Sequence, residues 1–369
     1  MQAKEIKYNK KKNKRPIYIL LAFVGVFCMF IYGLTRPSLQ SQALKELETS
    51  YNKKDIEMVW HKFKAELYQD EEFLLEIRTK LTGFNLNEDE KQECMGWLPP
   101  APKSLNVIII PDLSRRILDT VNNPDQIQND IFVLNAAWKT FVKTTRLKED
   151  SNDRLMIDVT DREQASGQFN RVADQLQYDL STHKGKSNIL YFTPDKDQTF
   201  NSAITEMYQL AKTKPLGADY RYYFRQYLDS RLQKSTFFDT YINKVIIITD
   251  GYLEAEGKKA DTRLIGYEKQ LYNAVDAGNV QQVIAANGLN IPKVNIDLSN
   301  TSIMVCEVSE RNVVPFTKIP WAGKKRDFEI LKNYWEDWFT RMGAKKTVFI
   351  PREQANEITA VAISNFIND

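Results

Sequence analysis

Two short turns hold most of the side chains in this chain whose type and spacing could do chemistry. Asp112 and Ser114 follow the apolar run Val107-Ile108-Ile109-Ile110 through Pro111, and Asp250 stands between Thr249 and Gly251 after Val245-Ile246-Ile247-Ile248. Two carboxylates and a hydroxyl are enough to consider a hydrolase. A metal-dependent phospho- or sulfohydrolase needs further His and Asp ligands around its metal, however, and residues 103–369 contain one histidine, His183. With His61 and His183 in polar stretches, no Ser-His-Asp or Cys-His pair is recognisable. Cys28, Cys94 and Cys306 are too few for a disulfide scaffold, and a four-ligand zinc site would have to borrow carboxylates. Glycine-rich nucleotide-binding motifs are absent, so no enzymatic activity is expected. Each turn also has a plain structural use: Asp112 or Ser114 as a helix N-cap, Asp250-Gly251 as the turn closing a strand.

The elements that would position these turns are legible from apolar runs. Beyond the two runs above, strands are predicted at Leu155–Val159, Ile189–Phe192, Ile303–Cys306 and Thr347–Ile350. Helical patterns fall at about 115–145, at 197–243 in two pieces, near 325–342 and from about Arg352. Strands that read as continuous apolar runs are buried on both faces, which predicts an α/β fold with a mostly parallel, doubly wound sheet flanked by helices. Ligands of such sheets bind at the carboxyl ends of the strands, where Asp112 and Asp250 fall. In the helix near 325–342, Phe328, Leu331, Trp335, Trp338, Phe339 and Met342 share one stripe and read as core, with Gly343 at the expected cap. Tyr220, Tyr222, Tyr223, Phe224 and Tyr227 read as core and edge packing, with an interface as the alternative. The segment 252–300 is too long for a connection and is predicted to be an insertion with short elements of its own.

The net charge of +3 is misleading, because residues 1–15 carry seven basic groups against one acid and leave residues 16–369 near −3. A nucleic-acid-binding body is thereby disfavoured. Residues 17–34 form eighteen uncharged residues, long enough at about 1.5 Å per residue to span a bilayer once. Tyr18 and Tyr32 suit the interfaces, and the basic residues before the span place the N-terminus in the cytoplasm and the body outside. A cleaved signal peptide is the alternative, but its small-x-small pair Ser41 and Ala43 lies well beyond the apolar run. The expected organisation is a basic cytoplasmic tail (1–16), a transmembrane signal-anchor (17–34), a helical stalk with a Pro-rich linker (35–102) and the α/β domain (103–369). Apolar residues at three-to-four spacing across 38–92 predict amphipathic helices that pack on the body or self-associate. Cys94 and Cys306 would meet an oxidising compartment, though Cys306 reads more naturally as a buried core residue.

This order of elements, with Asp-x-Ser after the first strand and Thr-Asp-Gly after the fourth, resembles the von Willebrand factor A family over residues 104–369. That family's Asp-x-Ser-x-Ser turn, a threonine from a second loop and the aspartate after the fourth strand hold a divalent metal, which accepts a partner's carboxylate. The resemblance implies metal positions at Asp112, Ser114 and Asp250, with Thr199 as the threonine. The third motif position is Arg116, a guanidinium that cannot coordinate and that repels a cation. Either a weakened site for Mg²⁺ or another divalent cation survives with Arg116 turned outward, or Arg116 pairs with Asp112 and Asp250 and fills the metal's electrostatic role. The expectation is a membrane-anchored protein-binding module, an adaptor or assembly factor of a cell-envelope complex. Its domain would be periplasmic or extracellular, no cofactor is expected, and an exposed Arg116 would take an acidic group of the partner protein. Metal-dependent adhesion or ligand capture is the alternative, and a hydrolase the third reading.

Overall fold

Along β1 (Lys103–Pro111) side chains alternate between two cores, which is why the run Val107–Ile110 is apolar without a break. Val107 and Ile109 face one core, and Ile108 and Ile110 face the other. The computed structural model describes residues 37–369 apart from 101–102, 149–151, 168, 182, 184–189, 237–239, 255–259, 263, 265, 322–325 and 353–355. The basic tail, the predicted span 17–34 and Cys28 lie outside the described residues. Among those described, no helix is long and apolar enough to cross a membrane.

The chain divides into two units, residues 1–86 and 87–369. In the first, three helices, α1 (Leu39–Glu48), α2 (Lys53–Leu67) and α3 (Glu71–Thr82), are opened by side-chain caps from Ser38, Asn52 and Asp70. Their apolar stripes supply a core containing Leu47, Ile56, Phe63 and Ile77, in which Trp60 stacks on Phe73 with centroids 6.1 Å apart. The second unit opens with α4 (Glu88–Trp97), started by a capping box between Asn87 and Glu90.

Six strands then form one sheet in the order β3-β2-β1-β4-β5-β6, with β2 (Arg154–Ile157), β3 (Gln177–Asp179), β4 (Thr240–Ile248), β5 (Thr301–Val308) and β6 (Lys346–Pro351). All neighbours pair in parallel except β2 and β3. The fold class is therefore α/β with a mostly parallel sheet. One face is covered by α5 (Gln126–Thr145), α6 (Pro194–Thr213) and α11 (Asn356–Asn368). The other carries α7 (220–231), α8 (Glu268–Ala277), α9 (Val280–Ala286) and α10 (Asp327–Arg341). Tyr220, Tyr223 and Phe224 of α7 and Trp335, Trp338 and Phe339 of α10 are buried there. The two connections leaving the sheet's midpoint diverge at β1 and β4, the switch point at which doubly wound sheets bind ligands.

Two sequence expectations fail locally. The helix expected from Arg115 begins only at Gln126, because Pro124 restricts Asn123 and Ser114 instead caps a 3₁₀ turn at Arg115–Leu118. Residues 190–192 of the strand expected at 189–192 are not in the sheet; Leu190 is exposed and Phe192 packs edge-on to Trp138. The third strand is instead Gln177–Asp179, too short and polar to give an apolar run. Cys94 and Cys306 are free and buried, so they form no bridge, and burial pushes the Cys306 thiol well up from its ordinary pKa.

Candidate functional site

The carboxyl ends of β1 and β4 lie side by side, with Asp112 N donating to Ile248 O at 2.8 Å. Two glycines allow other segments to reach this point. At Gly217 a Cβ would come within 3.2 Å of Ser114 N, so only glycine lets the 215–219 segment lie against the Asp112 turn. Gly251 has φ +96°, and a Cβ there would meet Val308 Cγ1 at 3.0 Å; Trp335 Nε1 donates to its carbonyl. A cleft of about 230 Å³ results, with Asp112, Ser114 and Asp250 in its lining. Thr199 is not in that lining: it lies in the first turns of α6, where its hydroxyl donates to Asp195 O at 2.8 Å. Its neighbour Phe200 serves the core, and Thr199 stays outside the group.

Arg116 is turned inward, 7 % exposed, which corrects the expectation of a free guanidinium for a partner's acid. The 3₁₀ turn folds its side chain back under Asp112. Nε donates to Asp112 O at 3.0 Å and lies 3.3 Å from Asp112 Oδ2, while Nη2 donates to Asp130 Oδ2 at 2.7 Å and Ile248 O at 3.1 Å. Burial opposes this charge, but Asp130, Asp112 and Asp250 outweigh it and hold the guanidinium above its ordinary pKa. Asp130 is fully buried on α5 and also accepts from Gln126 Nε2 and the Tyr208 hydroxyl. Its own pKa is raised by burial against the pull of Arg116.

Both carboxylate oxygens of Asp112 have partners within the chain: Oδ1 accepts from Ser114 N at 3.0 Å and Oδ2 from Thr249 Oγ1 at 2.9 Å. Asp250 accepts from Tyr252 N, and its Oδ2 lies 3.5 Å from Arg311 Nη2. Arg311 grips Glu254 with both terminal nitrogens at 3.1 and 2.8 Å and lies 3.8 Å over the Tyr252 ring. Burial, partly offset by Arg311, pushes the Asp250 pKa up to about 6. A hard divalent cation needs carboxylate and hydroxyl oxygens turned toward one point. Here a buried guanidinium stands among those oxygens and a second guanidinium neutralises the late aspartate, so the residues present do not fit such an ion.

A hairpin at 312–321 forms one wall of the cleft, closed by Val314 N to Ile319 O at 2.8 Å and a bridge between Val313 and Pro320. Asn122 fastens it to the β1 turn by accepting from Asn312 N and Val313 N and donating to Val313 O. Asp327 fastens it from below, accepting from the Tyr252 hydroxyl at 2.6 Å, from the Tyr272 hydroxyl at 3.2 Å and from Trp321 Nε1. Phe316 lines the cleft with the Arg115 guanidinium 4.7 Å over its ring, and Leu118, Val121 and Ile319, on the same two segments as the lining residues, are 38 to 61 % exposed.

Asp130, Arg311, Asn122 and Glu307 were missed by sequence reasoning. For Asp130 a signal existed, an acid on the apolar stripe of α5 with Gln126, Val133 and Leu134. Glu307 lies at a β-bulge of β5 with φ +65°, buried, its Oε2 3.9 Å from Arg352 Nε. Burial pushes its pKa up to about 7. A carboxyl that holds its proton more tightly folded than unfolded stabilises the fold fully below its unfolded pKa of about 4.3, and this contribution is lost as pH rises through about 7. Stability is therefore expected to fall between pH 5 and 8, with Asp250 contributing at the acidic end. Glu307→Gln should flatten that fall by roughly 2 to 3 kcal/mol, read from urea unfolding across the range; an unchanged slope would remove Glu307 as its source.

Comparisons of this chain with protein-family models, with curated proteins and with solved structures return no match.

Proposed function

We propose that residues 103–369 act as a von Willebrand factor A-like protein-binding domain that docks its partner on the strand-end face without a metal ion, carrying out no catalysis. The observation that carries this reading is the group of exposed apolar side chains on the two segments that supply the cleft's lining, Leu118 and Val121 beside Asp119 and Asn122, and Phe316 and Ile319 on the hairpin, around a cleft in which Arg116 and Arg311 are already paired with carboxylates of the chain. Exposed apolar side chains grouped around a polar centre mark interaction sites, whereas singly scattered ones do not. The strand order and the positions of Asp112, Ser114 and Asp250 support the family reading. The sequence of 1–34 supports a single-pass anchor with the domain outside the cytoplasm, and with it a role as an adaptor or assembly factor in a cell-envelope complex.

The test is affinity capture of the full-length protein from crosslinked native membranes. Val121→Ser/Ile319→Ser is expected to lose most of the partner that the wild type retains, while Ile358→Ser/Val361→Ser, an exposed apolar pair on α11, keeps it. Equal loss in both variants, or none in either, would place binding elsewhere.

A further inference from the structure

Building on the strand-end reading, we infer that the partner group entering the cleft is a cation, a lysine or arginine side chain flanked by apolar residues. The sequence suggested the opposite sign, with Arg116 free to take an acid. In the structure both buried guanidinia are outnumbered. Arg116 is shared by Asp112 and Asp130, and Arg311 by Asp250 and Glu254. Asp119, also in the lining, is 6 % exposed, its carboxylate accepts from Asn122 N and Nδ2, and it forms no ion pair among the described residues. The one further cation of the lining, Arg115, is at the rim over Phe316.

Carboxylates held in a confined cleft with too few cations favour a positive group from outside, and such complementarity selects the partner. Glu254 keeps 37 % of its side chain exposed and Asp119 stands at the β1 turn, so an incoming cation has acceptors on two sides. The Phe316 ring, 48 % exposed, already takes the Arg115 guanidinium over its face, so the cleft's edge suits a cation. The volume, about 230 Å³, suits one long side chain and not a folded element. Exposed Leu118 and Val121, on the segment that carries Asp119, and Phe316 and Ile319 on the hairpin would cover the apolar neighbours of that side chain.

The test uses full-length protein in detergent and three fluorescent acetylated pentapeptides, Ala-Leu-Arg-Leu-Ala and its counterparts with Glu or Gln at the centre. Binding is followed by anisotropy at low and high salt. The Arg peptide is expected to bind about ten-fold more tightly than the Glu peptide, with the difference shrinking in salt. Asp119→Asn and Glu254→Gln should each weaken it about three-fold or more, while Ile358→Ser/Val361→Ser leaves it unchanged. Preference for the Glu peptide would assign the cleft to an acid reaching Arg116 Nη1, a buried donor without an acceptor among the described residues, and would overturn the inference. Absence of any preference, including no binding up to about 1 mM, would overturn it as well. The strand-end reading falls separately, if the rim variant keeps its partner in the membrane capture.

Discussion

Arg116→Met lowers the unfolding free energy by about 3 to 5 kcal/mol at neutral pH, the largest effect expected of any single change in the strand-end network. The wild-type guanidinium makes hydrogen bonds to two main-chain carbonyls and ion pairs with two carboxylates that are at most 1 % exposed. Methionine fills much of the space but leaves Asp112 and Asp130 facing one another without a counter-charge, and burying an unpaired charge is what makes such changes costly. Adding Asp130→Asn should recover a large part of the loss, because the second carboxylate then no longer has to stay ionised; a double-mutant cycle by urea unfolding measures that coupling. Arg116→Lys retains the charge but cannot reach Asp112 and Asp130 with separate nitrogens, and is expected to fall between the two. Additive effects of Arg116→Met and Asp130→Asn would show that the two side chains do not depend on one another.

Asp327→Ala is expected to cost roughly 3 kcal/mol and to loosen the rim while leaving the sheet folded. Asp327 is fully buried at the start of α10 and accepts from two tyrosine hydroxyls and one indole N–H. Removing it leaves two buried hydroxyls and the half-buried Trp321 N–H without their acceptor, and the buried pair carries a desolvation penalty. Two of these donors, Tyr252 and Trp321, also flank Arg311, at 3.8 and 5.6 Å from its guanidinium to their ring centroids. The hairpin at 312–321 should therefore become a preferred site of limited proteolysis, and partner capture should fall even where urea unfolding still shows a cooperative transition. Unchanged proteolysis of the hairpin would show that Asn122 alone is enough to hold it.

What could be read from the sequence follows from how each element is stabilised. β1, β4 and β5 are buried on both faces toward their carboxyl ends, so the residues there are continuously apolar, and the runs around Ile108, Ile246 and Met304 were plain. β3 is a three-residue antiparallel edge made of Gln177, Tyr178 and Asp179, whose place comes from pairing with β2 and from no pattern of its own. The Asp112 and Asp250 turns were legible because they end buried strands at the switch point. Their partners were not: Asp130 comes from a helix and Arg311 from the chain beyond β5, and only the fold brings them within reach. The direction of Arg116 was likewise a tertiary fact, set by a buried Asp130 that needed a counter-charge.

Under the proposed reading, two arginines of the chain stand where a metal ion would otherwise be needed, so that partner binding needs no metal ion. This is tested most directly by washing the wild-type complex, captured without crosslinking, in EDTA and in Mg²⁺ and measuring the partner retained. Equal retention in the two washes is expected; release by EDTA with recovery on adding Mg²⁺ would contradict it.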